Sequence, residues 1–215
     1  MYGALYVVED LDEYLAAPEA YLAAHPLPVA DELLKFNRPR TEWKFEELAK
    51  SAEGLSGRSF TTGKQLFTVA NCVACHKFGG VGTETGPDLT KLDPKQQSPI
   101  EILHDILEPS FRINEKFQSW TFDLKSGKSV TGLIVKETPT TVEVLVNPLA
   151  KEKPVVLKVS DIDERKKSAV SIMPKGLLDK LTHEEILDLV AYVYSGGDPK
   201  HKVFQGAHDH GGHQH

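Results

Sequence analysis

Only two cysteines and two methionines occur in the 215 residues. Two cysteines are too few for a disulfide-stapled scaffold or a four-cysteine zinc site. Positive charge is not in excess: 25 Lys and Arg stand against 31 Asp and Glu, for a net charge of −6. That balance argues against a nucleic-acid surface. No apolar run is long enough to span a membrane. Residues 1–8 lack the basic start and the cleavage site of a signal peptide. The remaining composition, 40% apolar and 26% charged, is that of a soluble globular chain of one or two domains.

The two cysteines sit three apart and a histidine follows at once, in Cys72-Val73-Ala74-Cys75-His76. This is the spacing for covalent attachment of a c-type haem, each thiol adding to a vinyl group and the imidazole ligating the iron. One helical turn puts both sulfurs and the ring on one side of the backbone. The competing readings are a redox dithiol and half of a zinc site. Zinc needs further cysteines, and a thioredoxin-like dithiol needs a surrounding βαβ pattern that is not found here.

The flanks carry Gly63-Lys64-Gln65-Leu66-Phe67 before the motif and Gly86-Pro87-Asp88-Leu89 after it. Ser171-Ile172-Met173-Pro174 and Leu189-Val190-Ala191-Tyr192-Val193 follow much later. With these the chain resembles the class I c-type cytochromes over about residues 57–198. More closely it is similar to the haem-binding domain of planctomycete and verrucomicrobial secreted proteins. The resemblance implies a mainly α cytochrome c fold in which Gly63 and Phe67 of the first helix pack against Tyr192 of the last. It also implies that Pro87 and Leu89 lie beside His76, and that Met173 is the second axial ligand of a single covalent haem c with its iron. Met173 is 97 residues beyond His76 (173 − 76), long for a plain class I domain. A thioether there is a weak, soft ligand that raises the iron potential, and the competing reading is a core-filling methionine.

The organisation expected along the chain is an N-terminal strand and helical arm over 1–50, a cytochrome domain over 51–200 and a His-rich tail over 201–215. Residues 1–8 read as a β-strand and resemble the end of a cupredoxin, where a Met is the weak axial copper ligand. The copper cysteine and histidines are absent, so Met1 holds no copper here. Short helical runs are expected at 11–17, 19–24 and 31–36, and a helix from Thr41, with Phe36, Trp43 and Phe45 as anchors. The first core helix is expected over 58–71, capped by Thr61 or Thr62, with Leu66, Phe67 and Ala70 on one face. Ser98-Pro99 starts another helix, in which His104 lies near the apolar face and is read as structural rather than as a ligand. Residues 117–160 switch to alternating strands, with a hairpin through Lys125-Ser126-Gly127-Lys128 and further strands at 141–146 and 154–159. The fold class is therefore α+β: a cytochrome fold carrying a small antiparallel sheet. A last helix starts at Thr182, with Glu185 completing a capping box, and stops at Gly196-Gly197. The tail from His208 to His215 has a composition that binds metal in other chains, or is a loose end.

The function expected is electron transfer rather than catalysis, with both axial positions filled and no distal His-Arg pair of the peroxidase kind. The alternatives are a haem enzyme or gas-binding module with a labile sixth ligand, and a docking module in which haem mainly holds the fold. The expected partner is a redox protein or a copper domain upstream of Met1. The expected compartment is the periplasm or another exported location, because this attachment resembles a reaction carried out outside the cytoplasm.

Overall fold

A computed structural model describes residues 15–16, 38–92, 98–150 and 152–206. The strand expected at 1–8, the helices at 19–24 and 31–36, most of that at 11–17, Phe36 and the His-rich tail from residue 207 onward lie outside the described residues. The chain divides into two units, Met1–Asn37 and Arg38–His215. Of the first, only the helical pair Leu15 and Ala16 is described.

The second unit has four α-helices among its described residues: α1 (Phe45–Glu53), α2 (Phe60–Val69), α3 (Pro99–Leu107) and α4 (His183–Tyr194). Its caps follow from the local sequence. Ser98 accepts a hydrogen bond from the Glu101 amide ahead of Pro99, and Thr182 accepts one from the Glu185 amide while the Glu185 carboxylate bonds the Thr182 amide, satisfying orphan donors of the first turn. The cap of α2 is Ser59, whose hydroxyl accepts from the Thr62 amide; neither Thr61 nor Thr62 is the cap. Helix α1 begins four residues later than expected. Thr41 donates its amide to Asp179 O at 2.7 Å, Trp43 Nε1 donates to Leu181 O at 3.1 Å and Arg38 pairs with Glu185 at 2.6 Å. These contacts draw residues 38–43 along the segment before α4, so the helix opens only at Phe45.

Helices α2 and α4 cross at Gly63. A Cβ there would come within 2.3 Å of Asp188 O and 2.7 Å of Tyr192 Cβ, so only a hydrogen fits at the crossing. The contact buries Leu66, Phe67 and Ala70 on one side and Ile186, Leu189, Val190 and Val193 on the other. Phe67 meets Tyr192 edge-on at 5.9 Å, and both rings pack on Phe78, at 5.4 and 5.0 Å. Offset and edge-to-face pairs of this kind add to the burial they accompany.

Between α3 and α4 lies one five-stranded antiparallel sheet: β1 (Trp120–Leu124), β2 (Ser129–Glu137), β3 (Thr141–Leu145), β4 (Val155–Lys158) and β5 (Ile162–Lys167), in the order β4-β3-β2-β1-β5. Gly127, at φ +79°, sits in the β1–β2 turn, where a side chain would be strained. The first half of β2 pairs with β1 (Trp120 opposite Gly132) and the second half with β3 (Leu133 opposite Leu145). Phe122, Val142, Val144 and Leu157 form a core of its own under this sheet. Four strands are expected from the sequence and the fifth, β5, is an addition.

Candidate haem site

Helix α2 ends at Val69, and Asn71 takes the left-handed conformation at φ 60°. That turn sends the chain into a single 3-10 turn at Cys72–Ala74, where the amides of Cys75 and His76 both bond Cys72 O, at 3.2 and 2.9 Å. The turn brings Cys72, Cys75 and His76 to one cleft that is partly open to solvent. Its wall is mostly apolar: Phe67, Leu89, Leu92, Ile102, Ile106 and Leu189 contribute to it.

All six residues singled out in the sequence, Cys72, Cys75, His76, Pro87, Leu89 and Met173, line this one cleft. His104 does not line it. That ring packs at a tilt against Phe45, at 4.6 Å, and Phe111, at 4.3 Å.

The orientation of His76 is fixed from behind. Its Nδ1 lies 2.9 Å from Pro87 O, and a carbonyl only accepts, so Nδ1 carries the proton and Nε2 keeps its lone pair. Burial pulls the His76 pKa below its usual value, against the opposing pull of the Pro87 carbonyl. The ring is thus neutral near pH ~7, as a metal ligand must be. Gly82 closes in on the same turn, at φ +100°: a Cβ there would meet His76 O at 2.1 Å.

The thiols fit attachment better than exchange. Burial pushes Cys72 up to about 12, and burial raises Cys75 as well. A working dithiol needs the opposite, a thiol pKa drawn down to or below neutrality. Among the described residues, no group of three or more His, Cys, Asp or Glu side chains makes a cage for a bare metal ion. Paired thiols beside a neutral imidazole, on a mostly apolar cleft, match what haem c requires of a protein.

The cleft also holds charged residues that the motifs do not mark. Arg112 is its one cation and Asp105 its one anion among the lining residues. Arg112 is gripped by Glu101 at 2.5 Å and Asp105 at 2.8 Å. Burial raises the Asp105 pKa, with Arg112 opposing. The only sequence signal is Glu101 and Asp105 at i and i+4 on α3, which is also the pattern of a solvated helix face.

Residues 60–119 match the family Cytochrome c. No curated protein matches the chain. The family match begins at the first residue of α2 and stops one residue before β1, so it covers the cleft's motif half but not the sheet, Met173 or α4. Together with the cleft it supports a haem-binding c-type cytochrome and implies covalently bound haem c with its iron. Electron exchange with redox partners is the activity that goes with this family. Among the described residues, no helix is long and apolar enough to cross a membrane.

Proposed function

We propose that this chain is a single-haem electron-transfer module in which His76 and Met173 are the two axial ligands and Cys72 and Cys75 the thioether anchors. The observation that carries the reading is the return of Met173 to the cleft of His76 after the whole five-stranded sheet. Apart from Met1, no other methionine exists in the chain. Haem c supplies a one-electron centre whose potential a thioether ligand raises. The protein's own part is to hold the neutral His76 ring by Pro87 O, to keep water from the cleft with Leu89, Ile102 and Leu189, and to bring a soft sulfur from the far side of the chain. The module works in an exported compartment, where it trades electrons with a separate redox protein or with a copper domain of a longer parent chain.

Carbon monoxide binding to the reduced, haem-loaded protein tests the assignment. Wild type is expected to bind slowly, because a ligand must be displaced, and Met173→Ala to bind fast with haem still attached. Equal rates in the two proteins would remove Met173 from the iron and favour a gas-binding or catalytic haem.

A further inference from the structure

The 97-residue detour between the two axial candidates raises a physical question: what makes Met173 return to one place? The segment leaving the cleft (108–119) and the segment coming back (168–175) run together as a stem below the sheet. At its base Gln118 Nε2 donates to Ser168 O at 2.7 Å, and the Ser168 amide donates to Ser119 O at 2.9 Å. Nearer the cleft the Ser171 amide donates to Ser110 Oγ at 3.0 Å. Beside this, Lys175 Nζ meets Glu108 Oε2 at 2.5 Å.

The Ser110 contact leads directly to the ligand. Ser171, whose amide it receives, turns its own hydroxyl to accept the Met173 amide at 3.2 Å. The run is therefore Ser110 Oγ, Ser171 N–H, Ser171 Oγ, Met173 N–H. Ser110 lies between Pro109 and Arg112, and Ser171 two residues before Met173; Pro109, Arg112, Ser171 and Met173 all line the cleft. A hydrogen bond between partly buried groups resists loop motion more than the exposed Glu108–Lys175 pair does. The side chains of that pair are 49% and 61% exposed.

We infer that Ser110 is a positioning residue for the iron's second axial ligand: its hydroxyl, through Ser171, sets the loop that presents Met173. The sheet then stands on a stem whose closure at Ser110 determines whether the sulfur stays in place. This inference rests on the axial reading of Met173 given above.

The test uses the haem-loaded full chain in four forms: wild type, Ser110→Ala, Ser110→Thr and Met173→Ala. Ser110→Ala is expected to raise the carbon monoxide association rate of the reduced protein by about two- to tenfold, the release one lost hydrogen bond allows. Its reduction potential should fall toward that of Met173→Ala. Ser110→Thr keeps the hydroxyl and is expected to restore both values. A rate in Ser110→Ala equal to wild type, with Met173→Ala fast, overturns the positioning role and leaves the axial reading standing. A Ser110→Thr protein that behaves like Ser110→Ala also overturns it, since the hydroxyl is then not the cause. A Met173→Ala protein no faster than wild type removes the axial reading and the inference together.

Discussion

Gly86 lies against the imidazole of His76 so closely that a Cβ on it would come within 2.9 Å of Cε1 and 3.0 Å of Nδ1. The next residue, Pro87, supplies the carbonyl that bonds the same ring. Two adjacent residues thus fix the ring, one by leaving space and one by accepting its hydrogen bond. Gly86→Ala is expected to tilt the ring and break the Pro87 bond, with a loss of roughly tenfold in haem loading, the scale at which outer-shell changes act on metal sites. The ratio of haem to polypeptide after maturation measures it. A full complement with an unchanged spectrum would show that the ring has room to spare.

Covalent attachment makes a simpler prediction. Denaturing the pigmented protein in acid-acetone should leave the haem on the chain, because thioether bonds survive loss of the fold. Cys72→Ala and Cys75→Ala each remove one of the two anchors. Each variant is expected to mature less haem, and the double variant to lose all its pigment to the solvent. Pigment extracted from wild type would contradict attachment at this motif.

The sequence made the site more legible than its supports. The motif, the Gly-Pro-x-Leu loop and Met173 are local patterns, and the cleft gathers all of them. Ser98-Pro99 and Thr182-Glu185 are also local, and each opens the helix expected of it. Strand β5 is different. Ile162 to Lys167 reads Ile-Asp-Glu-Arg-Lys-Lys, with one apolar residue and no alternation. It is a strand because β1 offers a free edge, because Lys166 reaches Asp123 at 3.2 Å and because Arg165 lies over the Trp120 ring at 5.5 Å. Partners about 40 residues away decide it, and a window along the chain does not contain them. The late start of α1 has the same cause, since Asp179, Leu181 and Glu185 hold the residues before it.

Asp188 shows another limit of pattern reading, and it carries a prediction about stability. It stands among the apolar residues of α4 yet is buried. Its carboxylate accepts the Ser59 amide at 3.0 Å and lies 3.3 Å from Arg58 Nε. That ion pair is close but not aligned as a hydrogen bond, and Nε has no other partner. The Arg58 side chain is only 4% exposed, and its second partner is Glu184 at 2.7 Å. Asp188→Ala would leave a buried guanidinium with one rim carboxylate and strand the Ser59 amide at the cap of α2. Breaking a buried pair costs about 3–5 kcal/mol; because Glu184 remains, a loss near ~3 kcal/mol is expected. Asp188→Asn should lose less, since it still accepts from Ser59. Denaturant midpoints of the haem-loaded proteins give the comparison, and an Asp188→Ala midpoint equal to wild type would mean that the pair contributes nothing net.

The start of α4 should make the fold acid-sensitive. Burial acts to raise the Glu185 pKa, but the Arg38 guanidinium at 2.6 Å and the Thr182 amide at 2.8 Å outweigh it and hold the carboxyl below its usual value of 4.5. A folded pKa below the unfolded one means that the unfolded chain binds the proton more readily. The stabilisation is therefore complete above pH 4.5 and is lost as pH falls through the lower, folded value. Glu185→Gln is neutral at every pH. It is expected to melt below wild type near pH ~7 and to converge with it as pH falls below the lowered, folded value, where the wild-type carboxyl is protonated too. Some acid slope will persist in the variant, because Glu184 is also held low, by the Arg58 guanidinium first and by His183. Thermal midpoints of the two proteins across that range settle the point: parallel curves with no convergence would show that Glu185 has the same pKa folded and unfolded, and that the Arg38 contact does not hold its charge.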